Sequence, residues 1–243
     1  MLVVAYDGTQ YVGWQIQKNG VSVQQRLNEA VSDLFGEPIE VMGASRTDAG
    51  VHAEGNVAAF SAETRMPADK IAYALNRRLP EDIAVQLSQE VPEDFHPRFD
   101  AVEKTYEYHI VNRRQPKPLK RLQAWFYHRP LDVDAMRAAC APLVGEHDFT
   151  SFASIHAQTK TFVRTIYSLS VRKSGDEIIV RVTGSGFLYN MVRIIVGTLV
   201  QIGSGQRQPS DMARILAARD RKAAGPTAPA RGLMLVEIGY EWI

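Results

Sequence analysis

One carboxylate in this chain stands in a setting suited to chemistry. Asp48 lies in the run GASRTDAGVHA from Gly43 to Ala53, two residues after Arg46 and two before Gly50, with His52 four residues further on. Glycine lets the backbone turn tightly, and a guanidinium two residues away is close enough to hold an acid ionised. A positioned, ionised carboxylate serves as a nucleophile or as a general base. The same spacing also describes a glycine-bounded turn in which Asp48 bonds its own backbone. Spacing alone does not separate the two.

Two more side chains are candidates to complete such a site. The stretch from Phe187 to Ile202 is apolar on nearly every side yet carries Arg193 among Met191, Val192, Ile194, Ile195 and Val196. It is too short and too polar, with Asn190, Arg193 and Gln201, for a membrane span, and reads as a core helix. Removing one member of a buried ion pair costs roughly 3–5 kcal/mol, so an arginine there calls for a carboxylate, and Asp48 is the one chosen. The other outcome is an aliphatic stem that carries the charge out to solvent. In KTYEYHI, Lys104–Ile110, strand alternation puts Tyr106 and Tyr108 on one face. Tyr108 reads as core, and Tyr106 is an aromatic surface on which a base can stack.

Other chemistries are disfavoured. The six histidines never occur at i and i+4, so no metal-binding helix of the HExxH kind is present, and no metal site is expected. Gly184-Ser185-Gly186 lacks the third glycine and the following acid of a dinucleotide loop, and reads as a strand-to-helix turn. No G-x-S-x-G elbow surrounds Ser45. The single cysteine, Cys140, cannot close an internal disulfide; it reads as a core residue and favours a reducing cytoplasm. The N-terminus, MLVVAYDGTQ, reads directly as a strand, and nothing directs the chain to a membrane.

The net charge of +1 conceals an asymmetry: residues 1–103 hold 8 Lys and Arg against 16 Asp and Glu, whereas residues 104–243 hold 20 against 11. The basic half is the one expected to face a polyanion. Within it Arg113, Arg114, Lys117, Lys120 and Arg121 form a run with no acid, broken by Pro116 and Pro118, that reads as an exposed basic loop. Arg77, Arg78, Arg164, Arg172, Lys173 and Arg181 are separate points that extend such a track.

The elements that must position these residues alternate. Strands are predicted at Val3–Tyr6, Asn56–Phe60 and Ile83–Val91, with helices at Val21–Phe35, opening at Ser22, and Ala68–Arg78. The later half gives a strand at Thr105–Ile110, a helix at Asp132–Leu143, paired strands at Arg164–Arg172 and Glu177–Thr183 around Ser174-Gly175, and the helix at Phe187–Ile202. With 243 residues and 45% apolar content, one α+β molecule of two lobes is expected, residues 1–103 carrying the Asp48 loop and residues 104–243 the basic surface. The Ala223–Ala230 piece, AAGPTAPA, reads as a loop before a last strand.

Six stretches, in order, resemble the TruA family of tRNA pseudouridine synthases: AYDGTQYVGWQIQ at Ala5–Gln17, the Asp48 loop, DFHPRFDA at Asp94–Ala101, KTYEYHI, GSGFLYNMVRIIVGTLVQIG at Gly184–Gly203, and GLMLVEIGY at Gly232–Tyr240. The match covers most of the chain; Ser45 departs from the glycine of many relatives. The resemblance implies two related α/β lobes whose antiparallel sheets join around a central active-site cleft. It implies that Asp48 is the catalytic residue, that Arg193 pairs with it, that Tyr106 holds the base, and that Arg46 fills the gap left by a flipped uridine. It further implies a homodimer acting on the anticodon stem-loop of tRNA at uridines 38 to 40, with no metal and no cofactor. A noncatalytic RNA-binding module and an Asp-dependent nucleoside hydrolase are the alternatives. The first has no use for a carboxylate in a site that attracts phosphate, and the second releases free base.

Overall fold

The computed structural model describes residues 1–157 and 159–241, which divide into two units: Met1–Val102 with Met234–Ile243, and Glu103–Leu233. The closing strand, grouped by sequence with the basic half, belongs instead to the first unit.

The first unit opens with β1 (Leu2–Tyr6), whose alternate residues Leu2, Val4 and Tyr6 are buried as strand periodicity requires. Helix α1 (Val23–Phe35) follows; the Ser22 side chain caps it by accepting from the Gln25 N–H at 3.2 Å, and Gly36, at φ 75°, ends it. Leu27, Ala30 and Val31 form its buried stripe. The short β2 (Met42–Gly43) leads into the Asp48 loop, then β3 (His52–Ala59), α2 (Ala68–Asn76) and β4 (Ile83–Ser88). Strand order is β4-β1-β3 followed by the closing strand Leu233–Tyr240, with β2 paired to β3. The closing strand runs parallel to β3, Met234 opposite His52 and Leu235 opposite Ala53, which is why it joins this unit. Met1, Ala44, Val57 and Tyr240 form a buried cluster with Phe95 and Ile238, locked where the Tyr240 hydroxyl donates to the Pro97 carbonyl at 2.6 Å.

The second unit contains β5 (Ala101–Asn112), β6 (Trp125–Tyr127), α3 (Val133–Ala138), β7 (Gly145–Asp148), β8 (Val163–Ser174), β9 (Glu177–Gly184), α4 (Met191–Gly203) and α5 (Asp211–Ala218). Its strands run in the order β5-β9-β8-β7, antiparallel throughout, with β6 parallel to the end of β5. The core comprises Tyr108, Ile110, Ile178, Val180 and Val182 of the sheet and Met136, Ile194, Ile195 and Leu199 of the helices. Cys140 is buried there, its thiol pushed up to about 11 by burial, and donates to the Met136 carbonyl. Both units are thus α+β.

Several predicted elements differ in extent. The Asp132–Leu143 helix shortens to α3 and a single 3₁₀ turn at Ala141–Leu143, because Pro142 cannot continue the ladder. The predicted start at Phe187 moves to Met191, since Asn190 adopts left-handed geometry at φ 62° and breaks the helix there. Helix α5, with Met212 and Ile215 as its buried face, has no counterpart among the predicted elements.

Candidate active site

The Asp48 loop is held from behind by the AYDGTQYVGW segment. Asp7 caps a 3₁₀ turn at Gly8–Gln10, its carboxylate accepting from the Thr9 N–H at 3.0 Å and the Thr9 hydroxyl at 2.5 Å. Burial opposes ionisation of Asp7, but these bonds and His52 outweigh it and leave the acid below its ordinary range. Beyond the turn the Trp14 N–H donates to the Thr47 carbonyl at 3.1 Å, the Gly50 N–H to Tyr11 at 3.3 Å, and Gly13 forms an antiparallel bridge with Asp48. Both sides of Asp48 are therefore fixed through the backbone. Gly50, at φ 76°, closes the loop, with the Val51 N–H bonding the Asp48 carbonyl at 3.1 Å.

Glycine is required twice on the supporting segment. A Cβ on Gly8 would lie 2.0 Å from the Val51 carbonyl oxygen, and one on Gly13, already at φ 109°, would lie 2.5 Å from that of Thr47. Gly13→Ala therefore destabilises the protein by about 1–3 kcal/mol through backbone strain. It also displaces the Asp48 loop, whose backbone it presses against. Thermal melting measures the loss of stability.

Beneath the loop a polar network completes the support. The hydroxyls of Tyr6 and Thr47 are 2.7 Å apart, and the Asn56 amide donates to Tyr6 at 3.2 Å and to the Ser45 carbonyl at 3.0 Å. Thr47 and Ser45 are buried, Asp48 is half-buried and Arg46 is exposed. This alternation turns the neighbours of Asp48 into anchors. His52 is another anchor: its Nδ1 accepts the Gly8 N–H at 3.1 Å. Asp7 lies 3.1 Å from the same nitrogen. Arg46 makes no ion pair among the described residues, so the guanidinium nearest to Asp48 in sequence is not its counter-charge.

In the second unit Tyr106 is buried, 7% exposed, with its ring edge-on to Phe187 at 5.3 Å. Arg193 is half-buried on the first turn of α4; its Nε donates to the Ala228 carbonyl at 2.7 Å and its Nη1 to the Asn190 side chain at 2.8 Å. These two neutral acceptors orient the guanidinium. The AAGPTAPA loop that supplies Ala228 lies directly on α4: a Cβ on Gly197 would come within 1.8 Å of the Pro226 carbonyl oxygen, and the Gly225 N–H bonds the Thr198 hydroxyl at 2.9 Å. Tyr108 is core, its hydroxyl donating to Pro229 at 2.7 Å and held well above its ordinary range by burial.

The basic loop is less free than its sequence implies. Asp176, on the β8–β9 turn, meets Lys117 at 2.6 Å and Arg113 at 3.0 Å, and Glu177 meets Lys120 at 3.3 Å. The Lys117 hydrogen bond is the main reason the Asp176 carboxyl lies below its usual range, with Arg113 adding to it. Arg114 and Arg121 make no ion pair among the described residues. Trp14 is 2% exposed and lies flush on Gly43 of β2, where a Cβ would come within 2.2 Å of its Nε1. The DFHPRFDA stretch, which had no assigned task, places His96, Arg98 and Phe99 with Arg46 and Trp14 around a cavity of about 450 Å³. No group of three or more His, Cys, Asp or Glu that could hold a metal, and no helix long and apolar enough to cross a membrane, lies among the described residues.

Residues 2–100 and 139–241 match the family described as tRNA pseudouridine synthase. Among curated proteins the chain is similar to a tRNA pseudouridine synthase A of Brevibacillus brevis, 49% identical over 238 residues covering 98% of each chain. It is similar also to those of Geotalea uraniireducens, 46% identical over 98% of each chain, and of a Geobacter species, 48% identical over 98% of this chain and 97% of the relative. The matched residues span the strand and turn that hold the Asp48 loop, the loop itself and all of α4. The chain belongs to the tRNA pseudouridine synthase family.

Proposed function

We propose that the protein isomerises uridine to pseudouridine at positions 38, 39 and 40 of the tRNA anticodon stem-loop, with Asp48 as the catalytic carboxylate. The observation that carries this is the Asp48 loop: a half-buried acid whose backbone is bonded on both sides to the Tyr11–Trp14 segment. Such fixing pre-orients the reacting oxygen before substrate arrives. The reaction breaks the bond from ribose C1′ to uracil N1 and forms one from C1′ to C5; the C5 proton passes to solvent and N1 gains a proton. Atoms and charge balance without a redox partner. Asp48 begins it, by attack on the ribose or the uracil ring or by removing a ribose proton. Arg193 keeps that carboxylate ionised, and Tyr106 stacks on the extruded base and relays a proton late. Arg46, exposed and in no ion pair among the described residues, fills the helical space the base has left.

The basic surface of the second unit supports docking of the stem by its phosphates. Because Asp176 already neutralises part of Arg113 and Lys117, Arg114→Ala with Arg121→Ala lowers the slope of log affinity against log salt by about 2. Arg113→Ala with Lys117→Ala weakens binding and lowers the slope by less. Titrations of labelled stem-loop at several salt concentrations distinguish the two pairs. The protein works as a homodimer in the reducing cytoplasm, and sedimentation checks its mass. The function itself is tested by incubating tRNA with the protein and cleaving it into oligonucleotides whose modified positions are mapped. Carbon-linked uridine at positions 38 to 40 supports the synthase, whereas free uracil points to the hydrolase.

A further inference from the structure

The cavity beside the Asp48 loop lies wholly within the first unit and is lined by Trp14, Gln24, Glu40, Met42, Arg46, His96, Arg98 and Phe99 among others. Its size of about 450 Å³ falls within the roughly 300–1,000 Å³ range of small-ligand sites. Phe99 is 76% exposed and Met42 46%, so two apolar side chains open to solvent at the same cavity. The turn that carries Phe99 is nevertheless rigidly built. His96 Nδ1 accepts the N–H groups of Arg98 and Phe99 at 3.1 and 3.3 Å, and the Asp100 carboxylate accepts the His96 N–H at 2.8 Å. The His96 and Phe99 rings lie 4.2 Å apart, tilted by 34°, and extend one aromatic surface.

The charged residues at the cavity are equally suggestive. Arg46, Arg98 and Glu40 make no ion pair among the described residues, so two guanidinium groups and one carboxylate line the same space uncommitted. Gln24, by contrast, is fully engaged as wall: its amide donates to the Val41 carbonyl at 2.9 Å and accepts the Ile16 N–H at 3.1 Å. An exposed aromatic face flanked by guanidinium groups, with one acceptor for base N–H groups, is the pattern that recognises an unstacked nucleotide. The ring takes the base, Arg98 takes its phosphate, and the carboxylate reads its edge, while Arg46 at the rim reaches toward the gap left by the target.

We propose that this cavity is a second nucleotide subsite, which holds an unpaired base of the substrate RNA next to the target uridine. It rests on the reading of Asp48 as the catalytic group, since Arg46 both lines the cavity and sits two residues from that acid. Holding a neighbouring nucleotide outside the stack fixes the RNA while the target is turned out. It also gives the protein a preference for stem-loops with an extrudable base beside the target.

The test is a set of anticodon stem-loops, each with one nucleotide made abasic, titrated against the native protein and Phe99→Ala. One abasic position is expected to weaken native binding about 5- to 100-fold, as loss of one base stack does. Phe99→Ala is expected to bind the intact RNA equally weakly and to lose nothing more at that position, while Phe99→Trp restores the native pattern. Arg98→Ala is expected to lower the salt slope by about 1. Phe99 is exposed, and melting curves of the variants confirm that the fold persists. Equal losses by native protein and Phe99→Ala at every abasic position would overturn the subsite. Tritium release from the intact RNA, measured in parallel, separates this from the functional reading: turnover without coupling sinks the subsite alone, and no turnover by the native protein sinks the synthase assignment.

Discussion

Asp48→Asn leaves tRNA affinity within about twofold of native and lowers turnover by at least about 10⁴-fold, the upper end of what one positioned proton-transfer group supplies. Asparagine matches the shape of aspartate and leaves the backbone bonds of Thr47, Asp48 and Gly50 in place, so the loop keeps its conformation. What it lacks is the charge and the basic oxygen on which every proposed first step depends. Single-turnover kinetics with saturating enzyme isolates chemistry from binding. A variant that binds poorly would instead assign Asp48 to recognition.

Arg193→Met produces the second large effect. Arg193 is the proposed counter-charge of Asp48, and removing it is expected to lower turnover about 10²- to 10³-fold, the rate equivalent of the roughly 3–5 kcal/mol lost when a buried pair loses one partner. The sign of the pH effect follows. A guanidinium favours the carboxylate form, so its removal makes Asp48 easier to protonate. Activity is then retained at high pH and lost as pH falls through a higher midpoint than in the native protein. Arg193 also tethers Ala228 and Asn190, so the variant loses those bonds and some thermal stability. Arg193→Lys separates the roles: it keeps the charge and hence the native midpoint, but loses the fork that reaches both acceptors. A stability loss with an unchanged pH profile would confine Arg193 to structure.

Much of this architecture was legible in local chemistry. Ser22 before an apolar stripe marked the start of α1, and strand alternation identified β1, β5, β8 and β9, because in each case the signal lies within a few consecutive residues. Long-range partnership was less so. The membership of Leu233–Tyr240 in the first unit depends on parallel pairing with β3, which nothing in either segment records. The carboxylates that meet the basic loop come from residues 176 and 177, beyond any window that shows only the run of cations. A short helix such as α5, eight residues with two buried side chains, leaves little periodicity to read.

The site divides in the same way. Asp48 drew notice for its glycine and arginine neighbours, yet the structure gives those neighbours other tasks: Gly50 closes the turn, His52 anchors Gly8, and Arg46 opens onto a cavity. The support that matters most comes from Gly8, Gly13 and Tyr6, some forty residues earlier in the chain, whose purpose appears only when the Thr47 carbonyl is found against Gly13. Phe99 was invisible as a functional residue because exposure of an aromatic ring is a property of the folded chain alone.

The most direct measurement of the central claim is tritium released to water from tRNA labelled at uracil carbon 5, with the purified protein and no added metal or cofactor. The account predicts release by the native chain, in step with carbon-linked uridine retained in the RNA, and none by Asp48→Asn. Release by Asp48→Asn at the native rate would contradict it.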